Sequence, residues 1–250
     1  MTDARPVAGR RPATNARLVD DEPLIRLVDV TVMYPNGKVA LTNVDLEIKR
    51  GDFIFLVGPS GAGKSTLIRL LIREQVASTG RVYLAGRDLA RVSRGQVHRL
   101  RRRIGVVFQD FRLLPNKTVR ENVAFALEVT GAPLAEIRRR VPRLLALVGL
   151  EEQSQQLPAQ LSGGEQQRAA IARALVHDPA ILIADEPTGN LDPVTGWEIV
   201  QLLLEINALG TTLVVATHNQ EIVTALRRRV VALEQGRMVR DELGAAYRRG

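Results

Sequence analysis

The 250-residue chain contains no cysteine, which excludes disulfides, thiolate metal sites and cysteine nucleophiles together. Aromatic residues make up 4% of it. No basic stretch alternates with aromatics as a single-strand or RNA-binding surface does, so nucleic acid is not an expected partner. Lysine is nearly as scarce: Lys38, Lys49, Lys64 and Lys117 are all there are, so 35 basic residues minus 4 leaves 31 arginines. A net charge of +8 spread along the chain in this way reflects genome composition as readily as an anionic partner. No apolar run approaches the roughly 20 residues that span a bilayer. The N-terminal stretch MTDARPVAGRRPATNAR has no apolar signal-peptide core after its arginines, so a cytoplasmic location is expected.

What is present fits a soluble globular protein built as one large domain: 45% hydrophobic and 25% charged residues, with length enough for a sizeable core. Residues 1–23, rich in Arg, Pro and Ala, read as a flexible tail. An antiparallel β region follows: LIRLVDVTVMY, a turn at Pro35-Asn36-Gly37, and NVDLEIK with Val44, Leu46 and Ile48 alternating with charged neighbours. FIFLV at 53–57 is a continuous apolar run, expected of a strand covered on both faces, and leads through glycines into the helical STLIRLLI. IGVVF at 104–108 reads as another strand. Thr118 and Glu121 form a capping box for the helix VRENVAFALEV, ending near Gly131.

Residues from about 110 to 178 read as helical, with Pro142 expected to kink or divide the helix that starts near Leu134. ILIA at 181–184 and TLVVA at 212–216 flank a helical stretch through Trp197, Val200, Leu203 and Leu204, which implies βαβ units and a parallel sheet. VVALEQGRMV reads as a hairpin turning at Gln235-Gly236, and 241–250 as a C-terminal tail. The fold class is therefore α/β, with a parallel-sheet core, an antiparallel β subdomain and a helical subdomain.

GPSGAGKST matches G-x-x-x-x-G-K-[ST] at Gly58, Gly63, Lys64 and Ser65, between a strand and a helix as that motif requires. Glycines let backbone N–H groups turn onto phosphates, the helix N-terminus adds partial positive charge, Lys64 meets the β- and γ-phosphates and Ser65 reaches Mg²⁺. Asp185 and Glu186 follow a buried strand. One acid there suits Mg²⁺ and the next suits orienting or deprotonating a water, although an acidic turn before Pro187 would read the same. His218 follows another buried strand, and Gln109 a third; each would be ordinary alone.

A second glycine loop, LSGGEQQR at 161–168, admits two readings. Ser162 and Glu165 fit a helix capping box. Capping does not require Gly163-Gly164, whose bare backbone at a helix N-terminus makes an anion site without lysine or metal hydroxyl: half a site.

Together these residues resemble the ATP-binding cassette ATPases, with GPSGAGKST as Walker A, Gln109 as the Q-loop, LSGGEQQR as the signature, ILIADE as Walker B, Asn190-Leu191-Asp192 as the D-loop and His218 as the switch histidine. The ordered set covers residues 24–240. The resemblance implies ATP and Mg²⁺ as cofactors. It assigns nucleotide contacts to Gly58, Pro59, Ser60, Gly61, Ala62, Gly63, Lys64, Ser65 and Thr66, and metal contacts to Ser65, Gln109 and Asp185. Glu186, His218, Gln109 and Lys64 take catalytic roles. It also implies a homodimer in the ATP-bound state, with Ser162, Gly163 and Gly164 acting on the other subunit's nucleotide and Asp192 coupling the two sites. Tyr34 falls where the family stacks an aromatic on adenine, a position a strand-end tyrosine fills equally well.

IGVVFQDFRLLPNKTVRENVAFAL, ADEPTGNLDP and ATHNQEIV resemble the cell-division members of the family in particular. That implies a membrane subunit, FtsX, docking on Gln109 to Leu114, peripheral location on the cytoplasmic face of the membrane at the septum, and a signal that activates peptidoglycan hydrolases. Lipoprotein-release and macrolide-efflux ATPases share ADEPTGNLDP and form the alternative. Cassettes acting on DNA or ribosomes usually carry coiled-coil insertions or tandem cassettes, and neither is present. The arginines of RVSRGQVHRLRRR suit a solvated helix, or acidic lipid or partner segments.

Overall fold

A computed structural model describes residues 22–244; the tail read at 1–23 lies outside them except for its last two residues, as do the last six residues of the C-terminal tail. Strand β1 (Ile25–Met33) pairs antiparallel with β2 (Val39–Ile48), setting Ile25 opposite Ile48, Leu27 opposite Leu46 and Val30 opposite Val44. Their alternate residues are buried, as the period-2 pattern dictates. The turn between them closes where the Tyr34 N–H donates to the Lys38 carbonyl at 2.9 Å.

Strand β3 (Phe53–Val57) leaves this sheet, is buried at all five positions, and feeds helix α1 (Lys64–Leu71). Strand β4 (Thr79–Leu84) then returns to the other side of β1, and the two-residue β5 (Arg87–Asp88) completes a sheet of order β2-β1-β4-β5. The sequence pattern gave no strand here. TGRVYL buries only Val82 and Leu84, and its turn depends on left-handed Ala85 and Gly86 rather than on a familiar turn dipeptide.

After a short helix α2 (Val97–Arg101) come β6 (Ile104–Val107) and three helices, α3 (Val119–Glu128), α4 (Leu134–Leu147) and α5 (Gly163–Leu175). Strand β7 (Ile181–Asp185), helix α6 (Pro193–Ala208), β8 (Thr212–Ala216) and α7 (Gln220–Leu226) lead to the hairpin of β9 (Arg229–Glu234) and β10 (Arg237–Glu242). The hairpin turns through Gln235 (φ 47°) and Gly236 (φ 79°), both left-handed as the tight turn requires. The second sheet has the order β10-β9-β3-β8-β7-β6, parallel throughout except for β10. This is the α/β architecture expected, with the antiparallel sheet beside the parallel one.

Pro142 does not divide α4, which runs unbroken through it. Proline removes the donor to the carbonyl four residues earlier. Here Arg138 and Pro142 both lie on the exposed face, so water can take the freed carbonyl. The capping box is formed at α3, with Thr118 Oγ1 accepting from the Glu121 N–H and Glu121 accepting from the Thr118 N–H.

The parallel sheet separates two cores, and β3 serves both. Phe53, Phe55 and Val57 face a core shared with α3, α5 and α6. Ile54 and Leu56 face the antiparallel sheet and α1. Burying each such side chain contributes about 1.5–3 kcal/mol. Among the described residues no helix is long and apolar enough to cross a membrane.

Candidate functional site

Four loops leave the C-terminal ends of adjacent parallel strands, where ligands bind in open α/β sheets. They begin at Gly58, Phe108, Glu186 and Thr217, after β3, β6, β7 and β8. Together they form one cleft of about 960 Å³ lined by Tyr34, Gly58 through Thr66, Gln109, Asp185, Glu186 and His218. Every nucleotide, metal and catalytic candidate assigned within one chain, Asp192 apart, therefore meets at one place.

The phosphate loop takes its shape from its glycines. Gly58 (φ 147°), Gly61 (φ 78°) and Gly63 (φ 110°) are all left-handed or beyond. A β-carbon at Gly58 would collide with the Leu233 carbonyl oxygen, and one at Gly63 would lie 2.8 Å from that of Ala40. Gly63 begins α1 without a side-chain cap, leaving the first N–H groups of that helix to a ligand. Lys64 folds over the loop, its Nζ donating to the Gly58 carbonyl at 2.6 Å and the Pro59 carbonyl at 3.3 Å. The Tyr34 hydroxyl sits 3.0 Å from Thr66 Oγ1, anchoring the ring at the rim.

The two consecutive acids lie in different surroundings. Asp185 is the last residue of β7; burial, and then the neighbouring Glu186 charge, raise its pKa above the usual carboxylate range. Such a carboxylate is short of positive charge, which a divalent cation supplies. Ser65 and Gln109 line the same cleft and offer neutral oxygens, so the set fits a Mg²⁺ that takes its other ligands from phosphate and water.

Glu186 continues the sheet, its N–H donating to the Ala216 carbonyl, with its backbone in the left-handed region at φ 49°. Its Oε1 lies 2.9 Å from His218 Nδ1, and its Oε2 accepts from the His218 N–H at 3.3 Å. The carboxylate is 16% exposed and the imidazole 72%, so the pair spans the cleft from inner wall to opening.

Ser162, Gly163, Gly164 and Asp192 lie outside the cleft wall. Ser162 caps α5 in a full capping box with Glu165, whose carboxyl the Ser162 hydrogen bonds hold below its usual range. Gly164 is required inside the chain as well, since a β-carbon there would collide with Thr195 Cγ2. Asp192 caps α6, accepting from the Val194 and Thr195 N–H groups at 3.0 and 3.1 Å, and Thr195 holds its pKa low.

Sequence reasoning missed some of the wall. Lys38, Gln220, Glu234 and Gln235 also line it, and the Gly236 backbone ties the hairpin turn to both neighbours. The Gly236 N–H donates to the Ala62 carbonyl at 3.1 Å, and its carbonyl accepts from the Thr42 N–H at 2.8 Å. The Gln235-Gly236 turn was visible, but nothing local reveals what it packs against.

Residues 41–189 match the family model described as ABC transporter. Over 224 residues the chain is 53% identical to the cell division ATP-binding protein FtsE of Streptococcus pneumoniae, covering 90% of this chain and 97% of that one. Over 225 residues it is 50% identical to the FtsE protein of Mycobacterium tuberculosis, covering 90% and 98%. Among solved structures, the dimeric ATP-binding cassette MJ0796 in a post-hydrolysis state bound to ADP and Pi superposes with a TM-score of 0.78 at 37% identity, covering 89% of this chain and all of that one.

Proposed function

The chain belongs to the ABC transporter family and to its FtsE branch, and from that premise we propose that it serves a membrane-bound division complex by closing two copies over ATP. It is an ABC-type ATPase that uses ATP with Mg²⁺. The observation that carries the dimer reading is the division of the glycine loops. Gly58 through Thr66 share a cleft with Asp185, Glu186 and His218, while Ser162 to Gly164 form a capped helix start outside it.

In the proposed cycle the loop N–H groups and Lys64 hold the phosphates, Tyr34 stacks on the adenine, and Ser65, Gln109 and Asp185 hold Mg²⁺. Held there, Mg²⁺ would supply positive charge that offsets that of the phosphates. Glu186 accepts a proton from the attacking water, and His218, tied to Glu186, steadies the γ-phosphate. Ser162, Gly163 and Gly164 of a second copy complete the site, and Asp192 couples the two sites. The cassette spans 24–240, with 110–178 as its helical part. Its partner is FtsX, docking on Gln109 to Leu114, and the complex acts at the cytoplasmic face of the septal membrane. Its output is a conformational signal that activates peptidoglycan hydrolases, with no cargo required to cross.

The test is Glu186→Gln. It retains size and hydrogen bonding but not basicity, so turnover should fall by roughly 10²- to 10⁴-fold while ATP binding persists and a dimer accumulates, read by light scattering. Undiminished hydrolysis would reject Glu186 as the base.

A further inference from the structure

Between β6 and α3 the chain passes through Gln109 to Arg112 in a conformation that requires outside support. Phe111 (φ 54°) and Arg112 (φ 52°) are consecutive non-glycine residues in the left-handed region, a pairing that L-residues sustain only where surrounding structure enforces it. Two supports are present. On one side Asn190 grips Gln109 reciprocally: Asn190 Nδ2 donates to the Gln109 carbonyl at 2.9 Å, and Gln109 Nε2 donates to Asn190 Oδ1 at 3.1 Å. On the other side Arg173, near the end of α5, donates from Nη2 to the Phe111 carbonyl at 2.9 Å and from Nη1 to the Arg112 carbonyl at 2.6 Å.

The forked guanidinium suits two neighbouring carbonyls as a single ammonium does not. Arg173 is half-buried, and the two acceptors of its fork are neutral carbonyls. These two bonds therefore compensate a charge whose burial would otherwise be unfavourable. The turn also closes on itself, with the Arg112 guanidinium 3.6 Å from the centre of the Phe108 ring and 3.0 Å from Asp110.

We infer that Arg173 and Asn190 are positioning residues that fix Gln109 in the nucleotide cleft, Arg173 through the backbone just beyond it and Asn190 through its amide. Arg173 lies on the helix that starts at Ser162 and Gly163, so a displacement of α5 is felt at Gln109. The inference rests on Gln109 contacting nucleotide-bound Mg²⁺, as proposed above.

The test uses the full chain copurified with its membrane subunit and a fluorescent ATP analogue titrated with Mg²⁺. Arg173→Lys keeps the charge but loses the fork; Asn190→Ala, at an exposed position, loses the amide grip. Each should raise the Mg²⁺ needed for half-maximal tightening of nucleotide binding by roughly tenfold, the usual effect of removing a support behind a metal contact. Binding in EDTA should stay unchanged in both, and the Tm should hold in Asn190→Ala while falling in Arg173→Lys, whose half-buried charge loses a hydrogen bond. Gln109→Ala should give a comparable rise, and neither variant should add to it. Full additivity with Gln109→Ala would overturn the inference, as would a lowered Tm with the Mg²⁺ titration unmoved. If Gln109→Ala shifts the titration and the two other variants do not, the positioning roles alone fail. If Gln109→Ala itself shifts nothing, the metal contact of Gln109 fails and the inference with it.

Discussion

Glu186 occupies a left-handed conformation (φ 49°) directly after a buried strand, an arrangement costing on the order of 1 kcal/mol for a non-glycine residue. The two consecutive carboxylates lie in different surroundings: Glu186 meets His218, while burial and then the Glu186 charge raise the pKa of Asp185. A carboxyl whose pKa is raised in the folded state opposes folding once ionised, and this penalty is present at neutral pH and absent below the ordinary aspartate range. Asp185→Asn should therefore melt higher than the parent at pH 7.5 without Mg²⁺, where 1 kcal/mol corresponds to roughly 2–4 °C for a chain of this size. The same variant should lose Mg²⁺-dependent nucleotide binding. A Tm equal to or below the parent's would contradict the burial account. The acid pair and the two tasks expected of it are legible in the sequence, because adjacent acids follow an apolar run; the left-handed backbone at Glu186 is not, because the residue types do not announce it.

At the scale of elements, α5 starts under two demands. Its capping box satisfies the Ser162 and Glu165 N–H groups from within the chain, and Gly164 lets the helix lie against Thr195 on α6. The sequence shows Gly163-Gly164 as bare backbone suited to an anion, but not the packing requirement at Gly164, which depends on a residue 31 positions away. Gly164→Ala should destabilise the fold by about 1–3 kcal/mol, the usual effect of overpacking. Thr195→Ser removes the colliding methyl and should recover most of that loss, a coupling measurable by urea denaturation of the single and double variants. Independent effects would show that the contact is not what requires glycine. Pro142 taught the converse lesson: the rule was sound, but whether a helix breaks depends on which face the freed carbonyl meets.

At the scale of the whole molecule, the parallel sheet was legible because FIFLV, IGVVF, ILIA and TLVVA are unbroken apolar runs, and strands of that kind deliver their following loops to one edge. That is why the sequence alone groups Gly58, Gln109, Asp185 and His218. Hidden were the contacts made between distant segments, such as the Gly236 turn bracing the phosphate loop and β2 and the return of β4 to β1. The central claim is that Gly58 through Thr66 of one copy and Ser162 to Gly164 of another form one site. Mixing two separately inactive variants tests it most directly. Lys64→Ala disables the phosphate loop and Ser162→Arg the signature, and a mixed dimer holds one site with both halves intact. The account predicts ATPase activity in the mixture well above the sum of the two variants alone; a mixture no more active than that sum would contradict it.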